Sequence, residues 1–309
     1  MNNIKEPSSN NKGLGSLFNI KTVNISKSFS GTKALENINL ELMAGEIHGM
    51  VGQNGAGKST LGKIIGGYHQ SSEGKLILNN EEIKKWSPKT ALDNGVAMIH
   101  QELALVPLMS VFENIFLGIE KNKFGVLEKQ NLELFYQLEE KIGFGLNPND
   151  IVGNLRIADQ QKVEIMRALA RNAKIIIMDE PTSSLTKDEI NRLHTLMLQL
   201  KSSKYLIIYI SHFLDAILEV CDKVTILRDG KLIRTSTIEN ENKEMLVEAM
   251  LGQSATITFP KKESSSIEDN KTIFEIDKLK TDTGLMNVSL KVNKGEIVGL
   301  LGLVGSGRT

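Results

Sequence analysis

The chain has 309 residues, and its 37 lysines and arginines balance 37 aspartates and glutamates, so the formal net charge is zero. The length allows one domain of about 250 residues plus a remnant, or two small domains, and the balanced charge lacks the basic excess of a nucleic-acid binder. One cysteine, Cys221, excludes internal disulfides and fits a reducing compartment; it reads as a small apolar core residue.

Residues 1–17 are rich in Asn, Ser and Lys, lack the apolar stretch of a signal peptide, and are expected to form a disordered leader. No run in the chain approaches the roughly 18 apolar residues of a membrane-spanning helix, so any link to a membrane is expected to go through a partner. Across 18–252, short β-rich runs alternate with helical stretches, which predicts an α/β layered domain. Glu46–Val51 reads as a buried strand running into the glycine loop Gly52-Gln53-Asn54-Gly55-Ala56-Gly57-Lys58-Ser59-Thr60, and Leu61–Gly66 as a helix after it. Residues 87–170 change to helical periodicity and predict a helical subdomain inserted in the α/β core. Lys174–Met178 and Leu206–Ile210 are apolar runs of the kind found in central parallel strands. Lys223–Leu227 and Leu232–Ile233, joined through Asp229-Gly230, predict a hairpin.

Polar residues 253–271 read as a linker, and 272–309 as the start of a repeat. Pairing 34–59 with 284–309 gives ten identities in 26 ungapped positions, and glycines 45, 49, 52, 55 and 57 recur as 295, 299, 302, 305 and 307. The expectation is one whole domain followed by the opening of a second, cut off at its own loop, Gly302–Thr309.

The glycine loop carries the first chemistry. Clustered phosphate charges need donors held close together, and Gly52, Gly55 and Gly57 let successive N–H groups turn inward at a helix N-terminus, with Asn54 and Ala56 between them. Lys58 is placed to reach the β- and γ-phosphates, Ser59 to give a hydroxyl to Mg²⁺, and Thr60 continues the helix start. Met178-Asp179-Glu180 ends an apolar strand, where open α/β sheets place ligand groups. Asp179 is expected to hold Mg²⁺ through water and Glu180 to polarise an attacking water.

By these residues, 18–252 resembles the ATP-binding cassette family. The resemblance implies a P-loop α/β cassette with an antiparallel β subdomain and an inserted helical subdomain, binding ATP and Mg²⁺. By its place in Ser28-Phe29-Ser30-Gly31, Phe29 is the aromatic that stacks on adenine. Gln101, in His100-Gln101-Glu102, is the γ-phosphate-sensing glutamine that faces the transporter subunit, and it joins Ser59 and Asp179 as a metal ligand. Leu155–Gln161 stands where the family signature lies, Ser183-Ser184-Leu185-Thr186 where the chain meets an opposite domain, and His212 where a switch histidine touches the γ-phosphate.

Three residues depart from the family pattern. Arg156 occupies the signature serine position, and Arg308 and Thr309 replace lysine and serine in the second loop. Arginine keeps the charge but its planar fork is bulkier than an ammonium. Because family domains pair head to tail, Arg156 would face the loop at Arg308, and Lys58, Glu180 and His212 would face a signature outside this sequence.

Tandem cassettes with an altered second loop resemble the ATP-binding subunits of simple-sugar importers. The resemblance implies permease subunits, an external substrate-binding protein met indirectly, a second cassette or another copy of the chain, no nucleic acid, and a place on the cytoplasmic face of the membrane. Two alternatives stay open: a soluble tandem-cassette ATPase acting on ribosomes or nucleic acid, and an ATP-holding remnant with little turnover.

Overall fold

The computed structural model describes residues 18–100, 103–119, 122–123, 126–127, 129–182, 185–252, 271–281, 284 and 286–301. The leader 1–17, Gln101, Ser183, Ser184, linker residues 253–270 and the second loop 302–309 lie outside the described residues. Contacts divide the chain into two units, Met1–Ala255 and Thr256–Thr309.

In chain order the first unit contains β1 (Asn19–Phe29), β2 (Thr32–Met43), β3 (Ile47–Val51), α1 (Lys58–Ile65), β4 (Glu73–Leu78), β5 (Glu81–Ile83), α2 (Pro88–Asp93) and β6 (Val96–Ile99). There follow α3 (Val111–Phe116), β7 (Asn122–Lys123), β8 (Val126–Leu127), α4 (Lys129–Ile142), α5 (Ile157–Ala170), β9 (Ile175–Asp179), α6 (Lys187–Ser202) and β10 (Leu206–Ile210). The unit closes with α7 (Leu214–Val220), β11 (Lys223–Arg228), β12 (Lys231–Thr237) and α8 (Lys243–Leu251).

Two sheets carry the architecture. Strands β2-β1-β4-β5 form an antiparallel sheet, and β12-β11-β3-β10-β9-β6 form a six-stranded sheet. In the second sheet β11, β3, β10, β9 and β6 run parallel, and β12 is antiparallel to β11. The β11–β12 turn has Asp229 at φ 50° and Gly230 at φ 75°, the left-handed pair that a two-residue hairpin needs.

Strands β9 and β10 are buried on both faces, and the period-2 alternation of side chains divides them between two cores. Ile175, Ile177, Leu206, Ile208 and Ile210 pack with the antiparallel sheet and with Leu61, Ile64 and Ile65 of α1. Ile176, Met178, Ile207 and Tyr209 point the other way, into a core built with Val163 and Met166 of α5, Leu193 and Met197 of α6, and Ile217 of α7.

Residues 87–170 are less uniformly helical than their periodicity suggests. Val96–Ile99 is a fully buried strand that pairs in parallel with β9, so α2 and β6 belong to the α/β core and the helical segment starts after them. Four apolar residues are too few to display a period, which is why the strand is hidden in the sequence. Within the helical segment, Ser110 and Glu113 form a reciprocal cap that starts α3. Among the described residues no helix is long and apolar enough to cross a membrane.

In the second unit, β13 (Thr272–Leu279) and β14 (Val288–Asn293) pair antiparallel as a two-stranded sheet.

Candidate functional site

The phosphate loop lies between the end of β3 and α1, and its shape depends on two glycines that have no room for a side chain. A Cβ at Gly52 would lie 2.3 Å from the Leu227 carbonyl oxygen. At Gly57 it would lie 2.5 Å from Leu35 Cδ2 and 2.8 Å from the Ala34 oxygen, and φ there is +101°, a left-handed conformation suited to glycine. Gly57 is the N-cap of α1, so the N–H groups of Lys58, Ser59 and Thr60 open the helix.

The Lys58 ammonium is buried and donates to the carbonyls of Gly52 (2.9 Å) and Gln53 (3.1 Å). Burial holds its pKa below the ordinary lysine value, and the charges of Glu180 and Asp179 pull it back up. The Ser59 hydroxyl donates to Asp179 Oδ1 at 2.9 Å. Asp179 ends β9, and burial raises its pKa above the ordinary aspartate value; the Ser59 hydrogen bond works against burial, and the neighbouring Glu180 charge works with it.

Glu180 follows at φ +51°, with its N–H bonded to the Ile210 carbonyl at 2.9 Å across the β9–β10 end. A non-glycine residue held there stores roughly 1–3 kcal/mol of backbone strain, a pattern that clusters at functional sites. Its Oε1 lies 3.3 Å from His212 Nδ1, so the loops leaving β9 and β10 bring the two side chains together. A cavity of about 500 Å³ is lined by Gly52, Gln53, Asn54, Glu180, His212, Met250 and Leu251.

Phe29 stands at the end of β1, 40% exposed, with the Lys27 ammonium 4.9 Å from its ring centroid and the His69 ring edge-on at 5.2 Å. Arg156 is the exposed N-cap of α5 and makes no side-chain capping bond.

A magnesium ion suits this arrangement. Ser59 and Asp179 place a hydroxyl and a carboxylate oxygen side by side, the hard oxygen donors Mg²⁺ prefers. Among the described residues no cluster of three His, Cys, Asp or Glu could hold a metal by itself. That fits an ion held by one or two protein oxygens together with substrate phosphates.

Residues 35–183 match the ABC transporter family. Over the same fold, the crystal structure of the ADP conformation of an ATP-binding cassette of an ABC transporter superposes with a TM-score of 0.68 at 26% identity, covering 76% of this chain and 99% of that one. The chain carries an ATP-binding cassette of the ABC transporter family. A nucleotide-free cassette structure is similar at a TM-score of 0.67 and 25% identity, covering 75% of this chain and 98% of its own. The cassette chain is also similar to the ribose import ATP-binding protein RbsA of Chromobacterium violaceum, at 40% identity over 92% of this chain and 57% of that protein. It is 41% identical to the galactose/methyl galactoside import ATP-binding protein MglA of Clostridium perfringens, over 93% of this chain and 55% of the relative. The chain thus spans just over half the length of these curated relatives.

The structure brings Gly52, Asn54, Gly55, Ala56, Gly57, Lys58, Ser59, Thr60, Asp179, Glu180 and His212 to one end of the parallel sheet. Sequence reasoning missed α8, whose Met250 and Leu251 wall the cavity, and the side chain of Gln53, which reaches that helix. No local motif marks either one. Only the tertiary path of the chain brings residues 53 and 250 together.

Proposed function

We propose that this chain is the ATP-binding and ATP-hydrolysing part of an importer of simple sugars, working at the cytoplasmic face of the membrane against permease subunits. The observation that carries the reading is the convergence of Lys58, Ser59, Asp179, Glu180 and His212 at the carboxyl end of β9 and β10, beside a loop that tolerates no side chain at Gly52 or Gly57. The names of the sugar-import relatives support the substrate class. The sugar itself is chosen by the permease and the external binding protein.

ATP fits the loop through its phosphates, which accept from the N–H groups at the start of α1 and from the Lys58 ammonium. Phe29 offers its exposed ring to the adenine base. Ser59 and Gln101, with Asp179 acting through water, would hold Mg²⁺, which would neutralise phosphate charge when bound.

Glu180 orients a water and takes its proton as the water oxygen bonds to the γ-phosphorus. The bond from that phosphorus to the bridging oxygen breaks, its electron pair stays with ADP, and inorganic phosphate leaves. His212, 3.3 Å from Glu180, fixes the carboxylate and reaches toward the γ-phosphate.

In this reading 18–252 is one cassette, 253–271 a linker and 272–309 the opening of a second cassette repeat. A second cassette or another copy of the chain supplies the opposing signature. Transport follows if ATP and ADP states contact the permease differently. The docking surface we assign is a groove of about 390 Å³ lined by Tyr68, Leu92, His100, Glu164 and Arg167 between β6 and α5.

The test is equilibrium binding of a fluorescent ATP analogue with and without Mg²⁺, followed by capture on a sugar-importer permease in nanodiscs. Magnesium-dependent binding and ATP-sensitive capture are expected. A chain that binds no nucleotide, or that binds nucleotide but never the permease, overturns the corresponding half of the proposal.

A further inference from the structure

The C-terminal turn of α8 is tied to the phosphate loop by a bond that the nucleotide chemistry does not require. Three carbonyls at the end of α8 meet three different donors. Glu248 O accepts from Gly252 N–H at 2.8 Å, Ala249 O from Arg228 Nη1 at 3.0 Å, and Met250 O from Gln53 Nε2 at 3.1 Å. Gly252, at φ +74°, closes the helix in a left-handed turn against the Arg228 guanidinium. Leu246 and Ala249 fasten the helix to the core.

Gln53 is the odd member of the loop. Gly52, Gly55 and Gly57 supply the turn, Lys58 the charge and Ser59 the hydroxyl, whereas the Gln53 side chain points at α8. Its backbone is part of the cradle, because the Gln53 carbonyl accepts from Lys58 Nζ at 3.1 Å and from Ala56 N–H at 3.1 Å. One residue thus joins the lysine that meets phosphate to the last turn of α8. Independently of that bond, Met250 and Leu251 wall the same cavity as Glu180 and His212.

We propose that Gln53 is a positioning residue that couples nucleotide occupancy of the phosphate loop to the order of residues 248–252. The coupling rests on reading the loop as an ATP site. Linkage makes it reciprocal: whatever orders the α8 terminus tightens ATP binding, and ATP binding orders the terminus.

The test uses the full 309-residue chain as wild type, Gln53→Ala and Gln53→Glu. Amide hydrogen exchange at 248–252 is followed with and without Mg-ATP, beside binding of a fluorescent ATP analogue and thermal melting. In wild type, Mg-ATP should slow exchange at 248–252. In Gln53→Ala that nucleotide-dependent difference should vanish and affinity fall by up to about fivefold, the ceiling set by one lost neutral hydrogen bond, while the apo melting temperature falls by no more than about 2–4 °C. Gln53→Glu, which cannot donate to the carbonyl, should lose the response as well. Equal nucleotide responses in wild type and both variants overturn the proposal, as does a wild type that binds Mg-ATP without any change at 248–252. A wild type that binds no Mg-ATP overturns the ATP-site reading itself.

Discussion

Replacing Asp179 with asparagine should make the free protein more stable and its nucleotide-bound form weaker. The carboxylate is only 6% exposed, sits beside the like charge of Glu180, and has its pKa raised chiefly by burial. Asparagine keeps the oxygen that accepts from Ser59 at 2.9 Å and removes the buried charge. Relief of that kind is worth roughly 1–2 kcal/mol, or about 2–8 °C in melting temperature for a unit of this size. The pH dependence has a definite sign. Because the folded-state pKa lies above the ordinary 3.8, the wild-type carboxyl favours folding when protonated and loses that contribution as pH rises through the folded value. The gap between variant and wild type should therefore be widest at neutral pH and shrink toward acid. Mg-ATP should reverse the order: wild type gains about 2.7 kcal/mol at a hundredfold excess over Kd, and the variant, short of a metal ligand, gains far less. The assay is scanning fluorimetry from neutral pH down through the ordinary aspartate range, with and without Mg-ATP. A variant less stable than wild type at pH 7.5 by more than about 1 kcal/mol, beyond the expected direction altogether, would refute the argument from buried charge.

Glu180→Gln should retain Mg-ATP binding and lose turnover by at least about a hundredfold, the lower range for a positioned general base; phosphate release with parallel binding measures both, and unchanged turnover would assign the water to another group. Gly57→Ala should cost at least about 2 kcal/mol, because alanine at φ +101° is disfavoured and its methyl meets Leu35 and the Ala34 carbonyl. Thermal melting checks it, with a fall of roughly 4–8 °C expected. Cys221, buried against Gly49 with its thiol pKa pushed far up by burial, should resist a thiol-titrating reagent until the chain unfolds. Rapid labelling of native protein would contradict its place in the core.

The parts of this molecule that declare themselves in the sequence are those whose signal is local. The loop from Gly52 to Thr60 is readable because backbone turns that admit phosphate demand glycine at fixed intervals. Strands β9 and β10 are readable because burial on both faces leaves no polar position to blur them, and Asp229-Gly230 because a two-residue hairpin demands left-handed residues. What stays hidden depends on distant partners. Val96–Ile99 is a strand only because β9 lies alongside, and its four residues sit in surroundings of helical period. The left-handed backbone of Glu180 has no signature at all, since it arises where the β9 end hydrogen-bonds to Ile210. The bond from Gln53 to Met250 spans 197 positions, and nothing at either end announces the other.

The alternation along β9 and β10 also has a mechanical result. Ile175 and Ile177 grip one core while Ile176 and Met178 grip the other, so each strand behaves as a spar clamped from above and below. Asp179, Glu180 and His212 are mounted where those spars emerge. A methyl removed deep within either clamp would let the mount tilt, so reaction geometry here inherits its stiffness from isoleucines that never approach a phosphate.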